Sequence, residues 1–235
     1  MKKLLLLLSF VALSTSLASC GDDPIAPDPN AGRRATISAF YAHPDLTIPV
    51  YVKVGDSISI SALSYGQFAS ALAPVGDRKI IFQGQSGTEL TSSGDVKIDS
   101  NRSVWAIYSG IGTDDEAIAI STEKGTVPPT LAGIRFIHAS KNAPKVKLHL
   151  DVAAGSAVTP DFIEYGKSNN AFTPVNVSTT ALVMVNESGT GLFTLDLSGV
   201  AALVPGKRYT VVMYGNYEGT GTNALTARIL LEPGQ

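Results

Sequence analysis

The sequence predicts an all-β chain: two tandem immunoglobulin-like antiparallel β-sandwich domains behind a leader and a tether. Three observations carry that expectation. Apolar residues alternate with polar ones in short runs between turn residues along most of the chain, the period of a half-buried strand. Residues 133–152, GIRFIHASKNAPKVKLHLDV, read as strand, polar turn, strand, and a degenerate copy, TISAFYAHPDLTIPVYVKV, occupies 36–54. Composition agrees: apolar residues make up 44%, enough for packed cores, while charged residues are only 16% and Gly (22) and Pro (13) supply turns.

The first nineteen residues begin with Lys2 and Lys3, continue through an apolar run (4–8, 10–13) and end in small residues before Cys20. That order is a secretory leader, and its apolar core is shorter than the roughly 20 residues of a membrane span. Leu17-Ala18-Ser19-Cys20 resembles the bacterial lipoprotein box, which implies a diacylglycerol on Cys20 and an address in the cell envelope. Gly21 after the cysteine, in place of Asp, leans by the same resemblance towards the outer membrane. Residues 21–35, GDDPIAPDPNAGRRA, hold three prolines and no periodic apolar face, the pattern of an extended tether. The chain thus divides into leader (1–19), lipidated Cys20 and tether (20–35), first sandwich (36–122), linker (123–131) and second sandwich (132–235).

In the first unit Ile37, Ala39 and Tyr41 share one face, as do Val50, Val52 and Val54 after the turn at His43-Pro44-Asp45. Further strands are expected over 58–62, 78–83, 95–99, 103–109 and 116–121, with 66–72 as the one stretch that could carry a helical turn. The linker, EKGTVPPT, contains Pro128-Pro129, which cannot donate to a β-ladder. The second unit offers strands over 134–138, 145–151, 181–186, 192–197, 208–214 and 224–232. Tyr65-Gly66 recurs as Tyr165-Gly166, Ile80-Ile81-Phe82 as Leu182-Val183-Met184, and the run 104–108 before Gly110 as 209–214 before Gly215. Four landmarks in one order, counting the opening hairpin, favour a duplicated unit.

Arg135-Phe136, His138-Ala139-Ser140, Ala143-Pro144, Val146, Asp151, Tyr165-Gly166 and Tyr209-Thr210-Val211 resemble the bacterial family called domain of unknown function 4397. The family's Pro-Asp is replaced here by Lys141-Asn142. The resemblance is fuller over 132–232 than over 36–121. It implies secreted or lipid-anchored proteins, often in tandem, with immunoglobulin-like sandwiches, and it implies no chemistry.

Charge and motifs narrow the function. Without Lys2 and Lys3 the chain has 16 bases against 20 acids, about −4, and no basic cluster, which argues against nucleic acid as a partner. One cysteine makes neither an internal disulfide nor a Cys-based metal site. Gly84-Gln85-Ser86-Gly87-Thr88 fails the spacing of a nucleophile elbow. No His/Asp/Glu spacing gathers metal ligands on one element, and no cofactor motif is present. Asp114 and Asp115, in GIGTDDE (110–116), are read either as part of an oxygen-ligand calcium loop or as a solvated hairpin tip. His43 and His138 are expected to satisfy turn carbonyls, and His149 to face solvent beside Lys147. A gapless alignment through Val50/Val146 places His43 opposite Ala139. Trp105 is expected in the core. Tyr214 and Tyr217, beside glycine-rich loops, are the exposed aromatics that would meet a ligand. The expectation is a non-enzymatic envelope module that binds a glycan or envelope protein through loops such as 110–116 and 215–223. A hydrolase with acids meeting between the units, and a pure spacer, are the alternatives.

Overall fold

The computed structural model describes residues 32–56, 58–199 and 202–233. The expected leader, the lipidation of Cys20 and most of the tether lie outside them. Among the described residues no helix is long and apolar enough to cross a membrane.

Among the described residues eight strands precede the two prolines: β1 (Arg34–Tyr41), β2 (Val50–Val54), β3 (Ile58–Leu63), β4 (Phe68–Pro74), β5 (Gly76–Gln83), β6 (Glu89–Ile98), β7 (Arg102–Ile111) and β8 (Asp114–Glu123). Seven follow: β9 (Ala132–His138), β10 (Val146–Leu150), β11 (Thr173–Val175), β12 (Ala181–Asn186), β13 (Gly191–Asp196), β14 (Arg208–Tyr214) and β15 (Thr226–Leu231). They form four sheets, ordered β4-β1-β7-β8, β3-β2-β5-β6, β11-β9-β14-β15 and β10-β12-β13. Among the described residues no sheet mixes strands from the two sides of Pro128-Pro129. The stretch 66–72, open to a helical turn in the sequence, is largely β4, held antiparallel to β1 with Ser38 opposite Ser70. The three-residue strand β11 has no counterpart among the expected strands. It is too short for alternation to register.

The pairing is not wholly antiparallel. β1 runs parallel to β7, with Tyr41 beside Tyr108, and β9 runs parallel to β14, with His138 beside Met213. In both sandwiches the first strand therefore sits at the centre of its sheet, next to a strand far along the chain. The backbone bonds match as well. Ala42 N–H donates to Tyr108 O (2.7 Å) and Ala139 N–H to Met213 O (2.7 Å), while Gly66 and Gly166 N–H donate to Tyr41 O and His138 O. Tyr41 thus corresponds to His138 and His43 to Ser140, one residue away from the gapless alignment. The difference arises in the turn before β2 and β10.

Each sandwich has its own core. Ile37, Ala39 and Tyr41 of β1 meet Val52, Ile80 and Phe82 across the first. Ile134 and Phe136 of β9 meet Leu148, Leu182 and Met184 across the second. A third apolar layer joins them: Phe40, Trp105, Ile107, Ile118 and Ile120 from β1, β7 and β8 pack against Ile137, Val212, Tyr214 and Leu230 from β9, β14 and β15. These residues occupy the alternate positions of the same strands, so β7, β9 and β14 are buried on both faces. Trp105 is buried as expected, but in this seam and not in the core shared by Val104 and Ala106. In β15 the odd positions Ala227 and Ile229 reach the second core, yet Leu231 is exposed, while Leu230 and Glu232 are buried.

Candidate functional site

The seam fixes which ends of the sandwiches lie together. Ser103 and Thr122, at the start of β7 and the end of β8, lie beside Arg135 near the start of β9. At the other end Ser109 Oγ donates to Ala139 O (2.8 Å), just past β9. β1, β7, β9 and β14 therefore all point the same way, and their following loops, 42–49, 112–113, 139–145 and 215–225, gather at one end.

The β1–β2 loop is tied down from within. Tyr41 Oη donates to Leu46 O, and burial pushes its phenol pKa up. His43 is buried and stacks on Tyr108 with ring centroids 5.5 Å apart. Its Nδ1 accepts the Asp45 N–H (3.3 Å), so the neutral ring carries its proton on Nε2, 3.4 Å from Asp115 Oδ1. Burial lowers the His43 pKa, against the pull of Asp115 and Asp45. Asp45 Oδ2 accepts the Gly112 N–H (2.8 Å), joining this loop to the β7–β8 turn. Gly110 has no room for a side chain there: a Cβ would stand 2.0 Å from Asp114 O and 2.6 Å from His43 Cδ2.

The two sandwiches meet at this end through charge. Lys141 Nζ lies 2.5 Å from Asp114 Oδ2 and 3.3 Å from Glu116 Oε2, and these partners raise its pKa. Tyr165 Oη also donates to Glu116 Oε2 (2.9 Å). On the second sandwich, Asn142 Nδ2 donates to Asn216 Oδ1 (2.8 Å) and Asn142 Oδ1 accepts the Tyr217 N–H (2.8 Å). Ser140 Oγ donates to Gly215 O (2.7 Å).

The four residues singled out for ligand contact separate into distinct settings. Asp114 is exposed and paired with Lys141. Asp115 accepts from Tyr108 Oη, which turns it inward, and burial raises the Tyr108 pKa. Tyr217 is 43% exposed at the rim. Tyr214 is buried in the seam, edge-on to Phe40 at 4.9 Å and to Tyr65 at 5.4 Å, so its ring does not meet solvent. The loop position that suggested exposure belongs to its backbone, while the ring sits on the seam face of β14.

The histidines take different partners. His138 Nε2 bonds Pro144 O (3.0 Å), the turn-carbonyl role, and burial lowers its pKa. His43 accepts a backbone N–H instead. His149 is half-buried, with Nδ1 2.8 Å from Gly155 O. Lys141 and Asn142, which organise the rim, carry no motif in sequence beyond their departure from Pro-Asp. Among the described residues no group of three or more His, Cys, Asp or Glu could hold a metal ion. The junction holds one fully enclosed carboxylate, Glu232, bound by Arg135. This end carries one exposed phenol ring, Tyr217, two asparagines bonded to each other, and Lys141 set between two carboxylates.

The model of the family described as a domain of unknown function (DUF4397) matches residues 35–149, just under half of the chain. The match runs from β1 through β10 and crosses Pro128-Pro129, whereas the sequence resemblance was fuller over 132–232. No curated protein matches. Among solved structures, the chain is similar to candidate cell adhesion proteins from Bacteroides eggerthii (11% identity, 85% of this chain and 95% of that one, TM-score 0.26) and Bacteroides uniformis (12%, 85% and 98%, 0.27). It is also similar to the tip fimbrial protein Mfa3 from Porphyromonas gingivalis (9%, 85% and 99%, 0.24). These are chains of matching extent with only a loose spatial correspondence.

Proposed function

We propose that the protein is a non-catalytic cell-envelope module, anchored by a lipid on Cys20, that presents one end of a fused pair of sandwiches to a glycan or envelope-protein partner. The observation that carries this reading is polarity. The chain enters β1 at Arg34, at the end opposite the loops 42–49, 112–113, 139–145 and 215–225. Eight residues of strand at about 3.3 Å each set the loop end roughly 25 Å from that point. A tether reaching a membrane on one side would leave the loop end facing away from it. The packed seam supports a body that holds its two loop sets in fixed relation. The repeated strand order supports a duplicated unit with sandwiches at 36–122 and 132–235.

Two measurements test it. Cells given a radiolabelled fatty acid should label the full-length chain, and Cys20→Ala should lose the label and release the protein from membranes. Residues 21–235, immobilised, should capture envelope glycan or protein; Tyr217→Ala should reduce capture without changing the melting temperature, and Asn142→Ala, which unties the 215–225 loop, should reduce it too. Turnover of ester, glycoside or phosphate substrates that a single substitution abolishes would overturn the reading. If an unrelated sandwich pair of equal length substitutes fully in cells, the module is a spacer and not a binder.

A further inference from the structure

Among the described residues β4 is the open edge of its sheet, paired only with β1. Exposed edges are usually blunted by charge, bulges or cover. β4, FASALAP, has no charged residue, and two large apolar side chains on it face solvent: Phe68 is 39% and Leu72 56% exposed. Both lie on the face that carries Phe40, whose neighbour in the ladder is Phe68. They continue the apolar seam beyond the area the second sandwich covers.

The direction of β4's free backbone groups follows from its pairing. Tyr41 N–H donates to Gln67 O (3.0 Å) and Val75 N–H to Arg33 O (3.1 Å). Hydrogen-bonded pairs in an antiparallel ladder recur every second residue, so Ala69, Ala71 and Ala73 aim their groups at β1. Phe68, Ser70 and Leu72 aim theirs outward. The residues with free backbone groups are therefore the ones with exposed side chains, and they are symmetric in character about Ser70.

We propose that β4 pairs antiparallel with β4 of a second copy of this chain, about a two-fold axis at Ser70. Phe68 then stands opposite the second copy's Leu72, Ser70 opposite Ser70, and Leu72 opposite Phe68. All three pairs are of the hydrogen-bonded kind, giving six backbone bonds and covering both exposed apolar side chains at once. The neighbouring register, centred on Ala71, also reaches six bonds, two of its four pairs losing one because Pro74 has no N–H to give, but it sets Leu72 against Ser70 and Phe68 against Pro74, so the two exposed apolar side chains no longer face each other. No like charges meet along the strand to oppose association. Five paired residues make a small contact, below the roughly 1,200 Å² of stable interfaces, so the dimer is weak and concentration-dependent.

The test uses residues 21–235, which contain every described element and no cysteine. Sedimentation equilibrium should show a monomer–dimer equilibrium, and Leu72→Lys should weaken it at least tenfold with an unchanged melting temperature. Facing Cα atoms in such a pair are about 5.5 Å apart, within disulfide reach. Ser70→Cys should therefore give a cross-linked dimer under mild oxidation, and Ala71→Cys should not. A monomer at every concentration, a dimer indifferent to Leu72→Lys, or cross-linking through position 71 in preference to 70 each overturns the proposal.

Discussion

Arg135 Nη2 donates to Glu232 Oε1 at 2.8 Å, and this ion pair, made entirely within the second sandwich, is buried by the first. Ser103 Oγ donates to Glu232 Oε2 (2.6 Å), Trp105 Nε1 to Glu232 Oε1 (2.9 Å), and Arg135 to Ser103 Oγ (2.6 Å) and to Thr122 Oγ1. Thr210 also donates to the carboxylate, and the Phe172 ring lies 4.9 Å from the guanidinium carbon. Docking the sandwiches strips water from both charges, and the first sandwich replaces it with hydroxyl and indole groups. Any shift of the seam by one strand position would leave them unmatched.

Removing one member of the pair should therefore cost far more than removing both. Glu232→Gln leaves a buried guanidinium without its counter-charge, at a cost of about 3–5 kcal/mol. Arg135→Met combined with Glu232→Leu should lose less than either single change. Urea unfolding of the three variants measures this, and a Glu232→Gln loss near zero would contradict it.

The only tryptophan, Trp105, sits in the seam, so its emission reports seam closure. Trp105→Phe leaves one bond to Glu232 unmade and should cost about 1–3 kcal/mol. Val212→Asp places a carboxylate in the same layer. Its expected signature is a red shift of Trp105 emission with the far-ultraviolet β signal retained; unchanged emission would count against the packing described.

Stability should rise with pH through the histidine range. Burial lowers the pKa of both His43 and His138 below the usual 6.5. Above 6.5 both states hold neutral rings and nothing is lost. As pH falls below 6.5 the unfolded chain takes up protons that the folded chain refuses, so stability falls until the folded values are passed. Melting temperatures should drop between pH 7 and 5, and His43→Gln with His138→Asn should flatten that slope. Asp151, Asp196 and Glu89, whose pKa values are lowered, act in a separate window, from about pH 4.5 downwards.

Two neighbouring glycines should respond differently to alanine. Gly112 has φ +64° with open space around it, so Gly112→Ala should cost about 1–2 kcal/mol of backbone strain. At Gly110 the added carbon meets the Asp114 carbonyl and the His43 ring, so Gly110→Ala should cost more than Gly112→Ala. Thermal unfolding of the pair decides it.

Alternation by itself placed most of the strands, though not β4 or β11, and one face of several of them. The expected runs 181–186 and 208–214 coincide with β12 and β14, and Ile37, Ala39, Tyr41, Ile134 and Phe136 all reach the cores that their spacing assigns. Of the loop end, the sequence marked Asp114, Asp115 and Tyr217, but not Lys141, Asn142 or the inward turn of Tyr214. Only the tertiary structure decided what covers the second face. A period of two separates two sides of a strand without saying whether the other side meets water or another sheet, and Phe40, Trp105 and Val212 look alike in either case. The parallel partners of β1 and β9, and the Arg135–Glu232 pair, join residues 67 or more positions apart. Local spacing carries no information at that range, and the packing of whole sheets against one another supplies it.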